Sequence, residues 1–170
     1  MENFNHMNIY YKTKQNYKSP QELRDNVERR FGRIKFDLAA NQFNHVVDNW
    51  YGPDSKLCTD TFNTPWPKKG LNWLCPEFQD ISPYCIKAYA ESLSGSRIAM
   101  LIPTFTSTQW FDKYVHGKCY IMFLTPKIKF DDTTITCTHM MMCMYGYPAG
   151  YECWNWKKIL NYKYIQPLII

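Results

Sequence analysis

The sequence predicts an α/β protein built on a mostly parallel sheet, and three observations support this prediction. The chain has 170 residues, of which 45% are hydrophobic, so it can form the core of one domain. Helical and strand patterns alternate through its middle, an order typical of α/β sheets. Residues 98–103 are almost continuously apolar, as expected of a parallel strand that is covered on both faces.

The first helix is predicted to begin near residue 19. Ser19 can act as its N-cap, Pro20 suits the first helical position, and Glu22 completes a capping box. Apolar residues then recur at helical spacing until Gly32, which is predicted to end the helix.

Short apolar runs bounded by Gly, Pro and polar residues predict the strands of the sheet. These runs lie at residues 34–38, 71–74, 98–103 and 119–124. A second helix is predicted to start at Ser82-Pro83 and to end at Gly95, and a third is predicted over residues 106–114.

The remaining segments connect these elements or close the sheet. Residues 39–41 indicate a turn or short helix, and residues 48–70, which are rich in Gly, Pro and aromatic residues, indicate irregular structure. Residues 135–145 and 151–156 flank a turn that contains Gly146, Pro148 and Gly150. This pattern predicts a closing antiparallel hairpin.

The net charge is +5, which suits a nucleic-acid partner without requiring one. Lys12, Lys14 and Lys18 alternate with tyrosines near the N-terminus, so this stretch can contact phosphates and stack on bases. A solvated basic arm is the alternative, and it is favoured on this evidence alone.

We divide the chain into an arm (1–18), a domain (19–158) and a tail (159–170). No apolar run is long enough for a membrane span, so no membrane partner is expected.

The seven cysteines are odd in number and contain no C-x-x-C pair. This pattern argues against a disulfide framework and against a zinc knuckle, and it predicts a reducing, intracellular compartment. His139 and Cys143 share one face of a predicted strand, but two ligands do not make a metal site, and a buried strand face is the better interpretation. No metal is expected.

The predicted topology itself indicates where a ligand would bind. In open α/β sheets ligands bind beyond the carboxyl ends of the strands. Asp37 ends one predicted strand, and Cys75-Pro76-Glu77-Phe78 follows another. One acidic group and one loop stiffened by proline are therefore expected at the site.

Several short motifs follow one another in a specific order. They are Ser19-Pro20-Gln21, Phe36-Asp37-Leu38-Ala39-Ala40, Asn44 with Tyr51-Gly52-Pro53, Asn72-Trp73-Leu74 with Cys75-Pro76-Glu77-Phe78, Leu101-Ile102-Pro103 with Thr106-Ser107-Thr108-Gln109-Trp110-Phe111, Phe123-Leu124 with Lys127-Ile128-Lys129-Phe130, and finally His139 to Tyr145 with Cys153-Trp154-Asn155-Trp156-Lys157. In order and spacing this set resembles the phage-type (Dam-like) DNA N6-adenine methyltransferase family, over roughly residues 19–157.

The resemblance implies a small Rossmann-like class I methyltransferase fold that transfers a methyl group from S-adenosylmethionine to adenine N6 in DNA. It further implies that Ser19, Pro20, Asp37, Ala39 and Asn44 flank the cofactor, with Asp37 holding one of its polar groups. The alternative role for Asp37 is a carboxylate that caps the following segment.

The motif that the family uses for catalysis, Asn/Asp-Pro-Pro-Tyr/Phe, is altered here. In the family, a side-chain oxygen and a carbonyl near the proline accept the two hydrogens of adenine N6, and an aromatic ring stacks on the flipped base. Here Cys75 replaces the first residue and Glu77 the third, whereas Pro76 and Phe78 are retained. A thiol is a weak acceptor and cannot replace an amide oxygen well.

Three interpretations of this motif follow. Glu77 can supply the missing acceptor in a shifted geometry. The reaction can differ, with Cys75 as a nucleophile, although cytosine methyltransferases place that cysteine after proline. Catalysis can also be lost, which would leave a pseudoenzyme that binds DNA or serves as an assembly or virion component. Lys127, where the family has Arg, keeps the charge for a phosphate contact but loses the bidentate fork.

The expected setting follows from the resemblance and from the composition. DNA is the expected partner, a homo-oligomer or viral assembly partners are open, and the chain is expected in the host cytoplasm, or in a virion if it is structural. The Asn-, Lys-, Tyr- and Ile-rich composition is compatible with an AT-rich viral genome.

Overall fold

The computed structural model describes residues 18–131, 137, 139–158 and 165–168. All of the predicted arm except Lys18 lies outside the described residues, as do 159–164 and 169–170 of the predicted tail. Among the helices of the described part, none has the length and apolar character needed to cross a membrane.

Helices and strands alternate along most of the chain, which confirms the predicted α/β class. The elements are α1 (Gln21–Phe31), β1 (Ile34–Asp37), β2 (Leu71–Leu74), α2 (Ser82–Leu93), β3 (Arg97–Pro103), α3 (Gln109–Tyr114), β4 (Tyr120–Thr125), β5 (Met140–Tyr145) and β6 (Gly150–Asn155). The six strands form one mixed sheet in the order β1-β2-β3-β5-β4-β6. Only β5 runs opposite to its neighbours, so the other described strands share one carboxyl edge.

The prediction of a closing antiparallel hairpin is wrong. β5 and β6 are not paired, because β4 lies between them, antiparallel to β5 and parallel to β6. All six residues of β5 are buried, so this strand suits an interior position with partners on both sides. The exposed and half-exposed residues of β6 suit the edge of the sheet.

The predicted capping of the helices also needs correction. α1 begins at Gln21 with Pro20 as its N-cap, and no side chain caps it. Ser19 is buried, and its hydroxyl is hydrogen-bonded to the thiol of Cys75 instead. Gly32 does end the helix, with φ +97° and its N–H donated to Glu28.

The second helix starts where it was predicted but with a different N-cap, and the third starts later than predicted. α2 starts at Ser82, with Ile81 rather than Ser82 as the N-cap. α3 is shorter than predicted, because Thr108 is its N-cap and accepts the N–H of Phe111.

The sheet is covered on both faces. On one face α1 packs through Leu23, Val27 and Phe31 against the buried side chains of the strands. On the other face α2 and α3 pack in a second cluster that contains Cys85 and Phe111. This layering fixes the carboxyl edge of the sheet, where the loops after β1 and β2 emerge.

Candidate functional site

A cavity of about 530 Å³ lies beyond the carboxyl ends of β1 and β2. This volume is within the range of small-molecule sites, roughly 300–1,000 Å³. Its walls come from the loop after β1, the irregular segment before β2, the loop after β2, and α2. The residues that line it are Ala39, Ala40, Asn41, Phe43, Asn44, Tyr51, Gly52, Pro53, Asp54, Thr59, Asp60, Thr61, Phe62, Cys75, Glu77 and Tyr84.

Four of the predicted site residues line this cavity, namely Ala39, Asn44, Cys75 and Glu77. The other five do not line it. Ser19, Pro20, Asp37 and Pro76 are buried, and Phe78 is half-buried with its ring centroid 6.2 Å from that of Phe130. The cavity therefore contains members of both predicted groups, the residues expected to flank the cofactor and those of the altered motif. Their chemical roles stay predictions.

Asp37 is buried, and both of its carboxylate oxygens accept backbone N–H groups of the following loop. Oδ1 accepts from Ala39 at 3.4 Å, and Oδ2 accepts from Val46 at 3.1 Å. Loss of hydration on burial raises the pKa of Asp37 to about 6, against the opposing effects of these hydrogen bonds and of nearby His45 and Arg24. In this structure the carboxylate holds the loop that forms one wall of the cavity.

Backbone contacts align the loop after β1 with the segment around Tyr51. Tyr51 donates its N–H to Asp37 at 2.8 Å, and Ala40 donates its N–H to Tyr51 at 2.9 Å. Gly52 has φ +153°, and a Cβ at this position would lie 1.8 Å from the carbonyl oxygen of Ala40. Only glycine permits this close approach of two cavity walls.

Asn44 helps to shape the same wall through its side chain. Its Oδ1 accepts the N–H of Asn41 at 2.7 Å, while its own N–H is donated to the Asn41 carbonyl at 3.3 Å. The reciprocal pair closes a tight turn. The side-chain oxygen of Asn44 is thus already engaged within the loop.

Cys75 is a poor nucleophile in this environment. Desolvation by burial raises the pKa of its thiol to about 12, and the nearby carboxylate of Asp37 acts in the same direction, against the hydrogen bond from Ser19. The thiol is therefore protonated at neutral pH. This observation weighs against chemistry in which Cys75 attacks the substrate.

Glu77 is the one residue of the altered motif that presents a charged group to the cavity. It is exposed and lines the cavity together with residues of the loop after β1. Asp54 and Asp60 are also exposed lining residues. Burial raises the pKa of Tyr84, and the neighbouring Glu77 adds to the rise. The cavity is thus acidic, with aromatic rings among its walls.

The sequence interpretation missed Asp54, Asp60 and Tyr84 as site residues. The rings of Phe62 and Tyr84 lie 4.7 Å apart, so the irregular segment is joined to α2 at the cavity. The high aromatic content of residues 48–70 was the available signal, because an irregular segment rich in aromatic residues needs an apolar surface to pack on.

Asn72 does not replace the missing amide of the motif. It is fully buried, and its Nδ2 donates to the carbonyl oxygens of Pro67 at 2.6 Å and Arg97 at 3.0 Å. The side chain therefore serves the start of β3. Within the described part of the chain, no group of three or more His, Cys, Asp or Glu side chains could hold a metal ion.

Comparison with known proteins identifies the class to which this fold and its motif loop, Cys75-Pro76-Glu77-Phe78, belong. Residues 7–140 match the family described as DNA N-6-adenine-methyltransferase (Dam), and the chain belongs to that family. The resemblance inferred from the sequence motifs is confirmed.

A curated relative from Escherichia phage T1, named DNA N-6-adenine-methyltransferase, is 26% identical over 108 residues. The match covers 64% of this chain and 44% of that relative, so the chain spans less than half of the relative it matches. No solved structure matches the chain significantly.

Proposed function

We propose that the domain formed by residues 19–158 is a small Rossmann-like class I methyltransferase that uses S-adenosylmethionine to methylate adenine N6 in DNA. The observation that carries the proposal is one cavity bordered both by the loop after β1, through Ala39 and Asn44, and by the altered motif, through Cys75 and Glu77. Membership in the family supports the reaction class. The phage relative supports a setting inside an infected cell.

The residues of the cavity fit the proposed cofactor. Its volume of about 530 Å³ suits a ligand of nucleoside size. Tyr51 and Phe62 offer aromatic surface for an adenine ring, and the carboxylates of Asp54 and Asp60 complement positive charge. When bound, S-adenosylmethionine supplies an activated methyl group on a sulfonium. The chain itself must position the acceptor base and exclude water.

Glu77 is the proposed acceptor for a hydrogen of adenine N6. The lone pair of that nitrogen is delocalised into the ring, so hydrogen bonds from both N–H groups to fixed acceptors favour a more tetrahedral nitrogen. A carboxylate is a stronger acceptor than the Cys75 thiol. The Pro76 carbonyl is the second proposed acceptor, and Phe78, which already packs beside Phe130, is proposed to face the flipped base.

A protein that binds without turnover is the second candidate. The specific observation in its favour is the thiol at position 75, which is protonated, hydrogen-bonded to Ser19 and unable to replace an amide oxygen. In this interpretation the chain is a pseudoenzyme that has lost methyltransferase activity and binds DNA or acts as an assembly or virion component.

The two candidates are separated by measuring cofactor binding and turnover on the same samples. Calorimetric titration with S-adenosylmethionine and with its demethylated product tests the cavity. Incorporation of labelled methyl groups into adenine-containing duplex DNA, with a duplex lacking adenine as control, tests the reaction. Micromolar binding with adenine-dependent transfer supports the enzyme, and binding without transfer supports the second candidate. No binding at millimolar ligand excludes the proposed cofactor site.

Substitution of Glu77 tests the proposed acceptor. Glu77→Ala should lower kcat by about 10²–10³-fold, the usual effect of removing one fixed group that stabilises a transition state, with little change in cofactor affinity. Asp80→Ala is the matched control, since Asp80 is an exposed acid three residues later that does not line the cavity. Equal activity of the two variants would exclude Glu77 as the acceptor.

A further inference from the structure

A basic surface lies at the carboxyl ends of β4 and β6, apart from the cavity. It consists of Lys127, Lys129, Lys157 and Lys158, all of which are exposed, and we call it the lysine edge. Because β4 and β6 are parallel neighbours, the segments that follow them leave the sheet side by side. These segments are 126–131 and 155–158, the second of which starts at the last residue of β6.

The first segment presents its lysines by strict alternation. Ile128 and Phe130 are buried, whereas Lys127 and Lys129 are exposed. In extended backbone, residues two apart point to the same side, so both lysines face solvent together while the apolar residues anchor the segment in the core.

The second segment is fastened to the first by hydrogen bonds. Trp156 donates its backbone N–H to the Thr125 carbonyl at 3.1 Å and its indole Nε1–H to the Pro126 carbonyl at 2.8 Å. The Trp156 carbonyl in turn accepts from Asn26 Nδ2 at 2.6 Å, which ties it to α1. Lys157 lies with Nζ 5.2 Å from the centroid of the Trp156 ring. These contacts hold the two lysine-bearing segments in place, and we call the two segments together the frame.

The charge of this frame is strongly positive. Segments 126–131 and 155–158 contain four lysines and one acidic residue, Asp131. The backbone N–H of Asp131 is donated to Lys18, which brings the end of the basic N-terminal arm to the same place. Phe130 connects the lysine edge to the altered motif, because its ring packs beside Phe78.

We propose that the lysine edge binds the phosphate backbone of duplex DNA. Lysines on a fixed frame suit phosphates, because each contact is a point charge that needs no planar geometry and releases counterions on binding. The proposed site of contact rests on the arrangement of the lysines. We further infer that a duplex bound there presents an adenine to the loop Cys75–Phe78, and this step rests on the proposed function. The contact carries no sequence information, since it involves only the backbone.

The proposal is tested by fluorescence anisotropy of a labelled duplex of about 20 base pairs at several salt concentrations. The variants are Lys127→Gln/Lys129→Gln and Lys157→Gln/Lys158→Gln in the full chain. Lys68→Gln/Lys69→Gln is the matched control, because these adjacent exposed lysines precede β2 and lie at the opposite end of the sheet. Circular dichroism checks that each variant is folded.

Loss of one phosphate contact lowers affinity by about eightfold at 0.1 M salt, so each lysine-edge pair should weaken binding by about sixtyfold. The slope of log affinity against log salt should fall by about 2 in each. The control pair should bind like the parent protein. Equal weakening by the control pair, or an unchanged salt slope in both lysine-edge variants, would overturn the proposal.

Calorimetry with S-adenosylmethionine on the same samples separates the two proposals. The lysines do not line the cavity, so their replacement should leave cofactor binding unchanged. A parent protein that binds the duplex through the lysine edge without binding the cofactor would refute only the proposed function. A parent protein that binds the cofactor, and whose binding to the duplex does not depend on these lysines, would refute only the lysine edge.

Discussion

Replacement of Asp37 by asparagine should change how the stability of the protein depends on pH. The carboxyl group is buried, and its pKa in the folded protein is raised from 3.8 to about 6, chiefly by desolvation. At a pH between these two values the unfolded chain is ionised and the folded protein still holds the proton. The folded state therefore binds more protons, so the free energy of unfolding falls as pH rises. The total fall is about 3 kcal/mol, most of it complete by about pH 6.5.

The measurement is urea denaturation followed by tryptophan fluorescence, for the parent protein and for Asp37→Asn, from about pH 4.5 to about pH 7.5. The variant cannot titrate at this position, so the parent protein should lose about 2 kcal/mol of unfolding free energy relative to it over that range. Any constant cost of losing one acceptor cancels in this comparison. Asp48→Asn, at an exposed carboxylate, should show the pH dependence of the parent. A difference between parent and Asp37→Asn that stays constant or grows in the parent's favour would refute the reasoning.

Three further predictions concern the contact between α1 and β6 and the cavity. Glu152→Gln removes the negative charge that pairs with the buried Arg30. Because the Glu152 side chain is 25% exposed, urea denaturation should show the free energy of unfolding lowered by about 2–3 kcal/mol, less than for a fully buried pair. Gly52→Ala would place a Cβ against the Ala40 carbonyl, so it should cost about 2–3 kcal/mol and weaken S-adenosylmethionine binding in calorimetry; unchanged binding would contradict the packing. Cys75 should resist iodoacetamide in the folded protein near neutral pH and react after denaturation, as followed by mass spectrometry; rapid labelling of the native protein would contradict its raised pKa.

Local patterns were sufficient to predict most of the strands and helices. The run at 71–74 became β2, and the apolar run at 98–103 became the core of β3, because short apolar segments bounded by glycine or polar residues leave few alternatives. The position of β4 between β5 and β6 was not predictable in this way, since periodicity shows which face is buried but not which edges pair.

The candidate site shows the same division between local and distant interactions. Its motif loop and the turn at Ala39 follow from the rule that ligands bind at the carboxyl ends of parallel strands. The N-cap assigned to Ser19 was wrong because its hydroxyl bonds to Cys75, which is distant in sequence. Asp60 and Tyr84 were missed because they meet only when the irregular segment packs on α2.

The distribution of charge over the carboxyl edge supports a division of labour between the two proposed sites. Carboxylates border the cavity, where phosphates would be repelled and a cationic cofactor would be favoured. Lysines border the ends of β4 and β6, where phosphates would be favoured. A duplex held on the lysines keeps its backbone away from the carboxylates, so only an uncharged base has to approach Glu77. A base that is turned out of the helix meets this requirement, since it is neutral and hydrogen-bonds through its edge. The negative charge that Glu77 brings to the altered motif is therefore compatible with DNA as the substrate.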